Sequence, residues 1–159
     1  MQKVLISYFP VGEVFKVVKK FEEIFKTKNI EVDLFEIKIE QDYDIKKQFK
    51  NEKQLTLKNK LNSINQYDLV IIGTPLLSFT SAPGVNAFIR ELPNTKNKKF
   101  VLFVTGIGLP GNAVKKMSSL LSMNGANVID TQLFSSIFEF DTKKLKEVNV
   151  FVDRFEKNI

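Results

Sequence analysis

The sequence predicts an α/β three-layer sandwich, with a five-stranded parallel sheet in the order 2-1-3-4-5 between two layers of helices. Three observations lead there. Five short apolar runs alternate with amphipathic stretches of helical period. The links between them are short, which calls for parallel strands joined by helical crossovers. The chain has 159 residues, the size of a single domain spanning residues 1–159.

"KVLISY" (Lys3–Tyr8) is continuously apolar in the manner of a central strand buried on both faces. A helix follows, striped by Val14, Val17, Val18, Phe21, Ile24 and Phe25. Residues 30–37, "IEVDLFEI", alternate apolar and acidic positions, as a strand near the sheet edge does. Residues 39–66 are rich in Lys and Asn and read as a loop outside the core. A helix is expected there around Leu55, Leu57, Leu61 and Ile64.

"YDLVIIGTP" (residues 67–75) is a second central strand, stopped by Gly73 and Pro75. "APGVNAFIREL" opens a short helix facing inward through Val85, Phe88, Ile89 and Leu92. "KFVLFVTG" (Lys99–Gly106) is the fourth strand. Residues 111–124 form a helix on Val114, Met117, Leu120 and Leu121, with Gly125 as its C-cap. "NVIDTQLFSSIFEF" (residues 127–140) is the fifth strand with an extension. Leu145, Val148, Phe151, Val152 and Phe155 stripe the last helix.

Composition narrows the chemistry. The chain contains neither Cys nor His. Disulfides, thiolate nucleophiles, Ser-His-Asp catalysis and cysteine- or imidazole-held metals are therefore excluded, so chemistry is expected from a bound cofactor or not at all. The net charge of +6 comes almost wholly from lysine, the only arginines being Arg90 and Arg154. Without arginine forks the lysines read as a solvated surface, so no nucleic-acid partner is expected. No apolar run reaches the ~20 residues of a membrane helix. The N-terminus lacks the basic and cleavage regions of a signal peptide, and the cytoplasm is the expected compartment.

In a sheet of order 2-1-3-4-5, ligands bind beyond the carboxyl ends of strands one and three, where strand order reverses. The loops at that point are residues 8–14, 74–82 and 105–111. Gly106-x-Gly108-x-x-Gly111 with Asp130 downstream superficially matches a dinucleotide fingerprint. That fingerprint belongs to a first βαβ unit, and here one strand and one helix remain after it. The glycines fit better as turns or as room for a planar ligand. A response-regulator receiver shares the strand order but needs acids where "SYF" and "IIGTP" stand, and no P-loop pattern is present.

"YDLVIIGTPLLSFTSAPGVNAFI" followed by "KKFVLFVTGIGLPGNAVKKMSSLLSMNGANVI" resembles the flavodoxin-like family of FMN proteins. Members typically carry a Y-D-x-I-x-x-G-S/T-P strand end, an A-P-x-x-x-x-F helix and a strand ending in T-x-G. The resemblance covers essentially the whole chain and is most specific over residues 67–129. It implies FMN at the switch point and flavin-linked electron or hydride transfer. The expected cofactor-binding positions are Phe9, Pro10, Val11, Gly12, Glu13 and Val14 at the phosphate turn. Thr74, Pro75, Leu76, Leu77, Ser78 and Phe79, with Thr105, Gly106, Ile107 and Gly108, are those along the flavin ring.

The phosphate turn departs from the family pattern. Phe9, Val11 and Val14 stand where three hydroxyl residues belong, Pro10 lacks an amide donor, and Glu13 adds a negative charge. Hydrogen bonds to a charged group contribute ~1.5–3 kcal/mol each, so three lost hydroxyls cost ~5–9 kcal/mol. Against the ~12 kcal/mol of a nanomolar site, that leaves binding of roughly ten micromolar to millimolar. Glu13 is expected to serve as the anion of its own helix N-terminus. The sequence thus predicts a flavin-linked redox protein with FMN weak, exchangeable or absent. The alternative is a flavin-free module that uses the fold for protein binding or regulation. A redox partner protein is expected, although a basic surface differs from the acidic docking face of electron-carrying flavodoxins. No residue stands out as an acid, base or nucleophile.

Overall fold

The computed structural model describes residues 1–41, 44–109, 111–136 and 141–159. Its main sheet contains β1 (Lys3–Tyr8), β2 (Glu31–Glu36), β3 (Leu69–Leu77), β5 (Lys99–Gly106) and β6 (Asn127–Ser135). They lie in the order β2-β1-β3-β5-β6, every pair parallel, which is the predicted 2-1-3-4-5 arrangement. A two-residue strand, β4 (Thr80–Ser81), pairs antiparallel with the end of β3. The helices are α1 (Val14–Thr27), α2 (Ile45–Lys50), α3 (Pro83–Glu91), α4 (Ala113–Met123) and α5 (Thr142–Phe155).

Each face of the sheet carries its own core. Val4, Ile6 and Tyr8 of β1 meet α1 and α5, and there six phenylalanines interlock: Phe21, Phe25, Phe103, Phe134, Phe151 and Phe155. Phe21 lies 5.5 Å from Phe103, and Phe151 lies 5.0 Å from Phe155 between ring centroids. Gly73 makes this packing possible, because a Cβ there would sit 2.1 Å from the Phe103 ring. On the other face Leu5, Val70, Ile72, Leu102 and Val104 meet Val85, Phe88 and Ile89 of α3, with Met117 and Leu121 of α4. The two faces follow from the period-2 alternation of strand side chains.

Three expectations need correction. Gly73 and Pro75 do not stop β3, which continues to Leu77. Pro75 occupies a regular parallel register with Thr105. Residues 55–64 are not helical: they run extended and irregular, with Leu57 bridging Ile39 in an antiparallel contact. Nor are they outside the core, since Leu55, Leu57 and Ile64 are buried against the α3 face. Side-chain bonds tie this stretch to the chain that leaves β2. Asn59 accepts from the Lys38 amide at 3.1 Å and donates to the Glu36 carbonyl at 2.7 Å. Gln41 accepts from the Thr56 amide at 2.9 Å. The helix in this stretch is the short α2, capped by Asp44 through the Lys47 amide at 2.9 Å. Of the expected extension of the last strand, residues 137–140 lie outside the described residues.

Candidate functional site

β1, β3 and β5 end side by side, and the loops that leave them share the C-terminal edge of the sheet. The first is the β1–α1 turn. Phe9 is half-buried and directed at α3, where a Cβ on Gly84 would approach its ring to 2.9 Å. The Phe9 amide donates to the Gly73 carbonyl at 3.2 Å, and the Val11 amide donates to the Phe9 carbonyl at 2.9 Å. Both donors are thereby consumed within the protein, and Pro10 has none. Val14 is fully buried, while Pro10, Val11 and Gly12 are exposed. Gly12 turns the chain at φ +63°. What the turn retains is the amide of Gly12 and those of the first turn of α1, which helix geometry leaves without intrahelical acceptors.

Glu13 occupies the N-cap of α1 but makes no side-chain cap. Its carboxylate instead pairs with Lys16 at 2.9 Å. The sequence places the acid at the helix end, yet the ion pair, and no hydrogen bond to an amide of the helix, is what holds it. Beside it Tyr8 ends β1 with its ring 5.8 Å from Phe15. Burial raises the Tyr8 phenol above its ordinary value, so it stays neutral across the physiological range.

The second loop is the β3–β4 hairpin. Ser78 and Phe79 form its two-residue turn with φ of +49° and +61°, the sign pair of the turns that fit the twist of a hairpin. An aromatic residue rarely adopts this conformation. Here it leaves the Phe79 side chain 64% exposed at the sheet edge. Thr74 supports the turn from below: its hydroxyl accepts from the Ala82 amide at 2.9 Å and donates to the Pro75 carbonyl at 3.0 Å. Thr74 and Pro75 are buried, so they shape the loop; Leu76 and Leu77 are half-buried and Ser78 is exposed.

The third loop, β5–α4, is clamped to the second. A Cβ on Gly106 would stand 2.7 Å from Leu76. The Phe79 carbonyl accepts from the Asn112 amide at 2.8 Å, and a Cβ on Gly111 would strike that same oxygen at 1.9 Å. Thr105 is buried; Ile107 and Leu109 point outward at 70% and 73% exposure, and Gly108 turns at φ +80°. Exposed apolar side chains from the loops that leave three adjacent strands therefore share one end of the molecule, together with backbone amides and carbonyls of those loops. Leu109 and Gly111 lie in the expected switch-point loop but are not among the expected cofactor positions, and Asn112 lies outside both. Thr80, in the expected 74–82 loop but also not a named cofactor position, has a hydroxyl that, like that of Ser7 in β1, is buried with no hydrogen-bond partner among the described residues.

The chemistry available at this edge is limited. Residues 74–79 and 105–109 contain no titratable side chain. Among the described residues no cluster of metal-ligating groups occurs, and no helix is long and apolar enough to cross a membrane. Such an edge can hold a planar, mostly apolar group between Phe79, Ile107 and Leu109 and address its polar rim with backbone groups.

Fold and loops together define a flavodoxin-like protein. The chain matches the family model for NADPH-dependent FMN reductases over residues 12–140, and it belongs to that family. Flavin-linked redox chemistry is the function this membership carries. Among solved structures, a flavoprotein of Bacteroides eggerthii is 20% identical, covering 98% of this chain and 99% of its own, with a TM-score of 0.70. A flavoprotein of Lactobacillus acidophilus in complex with FMN is 20% identical over 93% of this chain and 98% of its own, with a TM-score of 0.60. Oxidised flavodoxin 1 of Bacillus cereus is 15% identical over 100% and 99%, with a TM-score of 0.71. No curated protein matches the chain.

Proposed function

We propose that this protein is a flavin-linked redox protein that binds FMN weakly and exchangeably through its two ring loops. The observation that carries the proposal is the contrast between the two halves of the site. The ring half is built and rigidified: Gly106 admits Leu76, Gly111 admits the Phe79 carbonyl, and Asn112 fixes it. The phosphate half offers no hydroxyl from Phe9, Val11 or Val14, and two of its amides are already spent. Ring contacts with Phe79, Ile107 and Gly108 and a few helix amides are left to hold the cofactor. When bound, the isoalloxazine supplies the electron or hydride chemistry. The protein orients the ring and presents its exposed edge to a redox partner.

The filled β1–α1 turn also favours a second reading, a flavin-free module whose apolar rim binds another protein. Substitution of the rim separates the two. Ile107→Asp and Phe79→Ser should each weaken FMN binding by roughly tenfold, since each removes a contact of about 1–2 kcal/mol. Unchanged FMN binding in both variants would move the flavin elsewhere. No FMN binding in the wild type would favour the flavin-free module.

A further inference from the structure

We infer that the site prefers a flavin without its terminal phosphate, riboflavin, over FMN. This rests on the flavin reading above and concerns only the arm of the ligand. At a 2-1-3 switch point the N-terminus of α1 is the element that would meet an anionic arm. Three features here work against an anion. The Phe9 and Val11 amides are consumed and Pro10 has none. The Phe9 side chain, lodged against Gly84, puts an apolar ring beside the turn. Glu13, whose side chain caps no helix amide, stands at the helix end as one half of an ion pair with Lys16 at 2.9 Å.

A dianion at that place faces repulsion from Glu13, while Lys16 is already engaged in its ion pair. The ribityl chain of riboflavin faces none. Its terminal hydroxyl can donate a hydrogen bond to the Glu13 carboxylate, which a phosphate dianion cannot do. The same residue that rejects the phosphate therefore suits the alcohol. The overall charge of +6 acts on FMN from a distance and is damped at physiological salt, where the screening length is about 8 Å.

The test titrates riboflavin and FMN separately into the full chain at neutral pH and physiological salt, following quenching of flavin fluorescence. Riboflavin should bind at least about threefold more tightly than FMN, given the Glu13 carboxylate at the helix end, offset in part by Lys16. Glu13→Gln should improve FMN binding by about fivefold or more and leave riboflavin equal or slightly weaker. Lys16→Gln should weaken FMN and spare riboflavin. FMN binding as tightly as riboflavin, or more tightly, in the wild type would overturn the inference and leave the flavin reading intact. So would a Glu13→Gln variant with unchanged selectivity. If neither flavin is quenched, the flavin reading itself falls.

Discussion

Two glycines of one loop show how local geometry decides what a residue is worth. Gly108 and Gly111 both have positive φ, +80° and +57°, but their surroundings differ. Nothing lies within 4 Å of a Cβ added at Gly108, whereas at Gly111 the Phe79 carbonyl oxygen would be 1.9 Å away. Gly108→Ala should therefore cost only the left-handed conformation, about 1–2 kcal/mol. Gly111→Ala must also push the hairpin away and break the Asn112–Phe79 bond, so about 3 kcal/mol or more is expected. Urea denaturation of both variants checks the ranking; equal losses would show that the hairpin moves freely. Sequence exposed both glycines as a pattern but not the difference between them, because the obstacle at Gly111 is a backbone oxygen from a different loop. Glu13 shows the same limit: its position was legible, while its partner, Lys16, depends on a rotamer.

Strands β1, β3 and β5 were legible as elements because burial on both faces leaves a long apolar run. α1 and α5 were legible because a buried stripe leaves a helical period. The stretch from 55 to 64 misled because Leu57, Leu61 and Ile64 have helical spacing. The pair Leu55 and Leu57, two apart, was the truer sign of extended chain. Gln41 bonds the Thr56 amide and Asn59 bonds the backbone of Glu36 and Lys38, contacts between separate stretches that no periodicity records.

The three-residue helical turn at Glu52–Gln54 connects this region to the helices above. Glu52 pairs with Lys116 of α4 at 2.8 Å and with Arg90 of α3 at 3.2 Å. Burial works to raise the Glu52 carboxyl, but Lys116 foremost, with Asn86 and Arg90, lowers it below the usual glutamate range. A carboxyl lowered in the folded state contributes stability that is complete above its unfolded value, about 4.3. That contribution is lost as pH falls through the lower folded value. Glu52→Gln should therefore cost about 1 kcal/mol at neutral pH, since the partners are partly solvated. Its stability should fall less steeply than the wild type's on acidification. Parallel acid limbs for the two proteins would contradict the pairing.

At the scale of the molecule, phenylalanine has two employments. Phe21 is fully buried and touches Phe25, Phe103, Phe151 and Phe155, whereas Phe79 is 64% exposed. Phe21→Ala should cost ~3–5 kcal/mol of folding stability, and Phe79→Ser should stay within about 1 kcal/mol while weakening flavin binding. Thermal or urea unfolding, read beside a flavin titration, shows whether stability and binding divide between the core and the edge in this way. The sheet order and the two cores followed from sequence because they average over many residues. The binding edge did not follow as fully, because it depends on a few contacts between loops.

A well-built ring site beside a phosphate turn without hydroxyls should hold FMN loosely. Equilibrium dialysis of the purified chain against FMN, read by absorbance in the visible flavin band, tests it most directly. Protein purified without added flavin should be colourless or substoichiometric in flavin. It should take up FMN saturably with a Kd of roughly ten micromolar to millimolar and release it again on dialysis. Stoichiometric yellow protein that survives extensive dialysis would contradict the account, as would the absence of any saturable uptake.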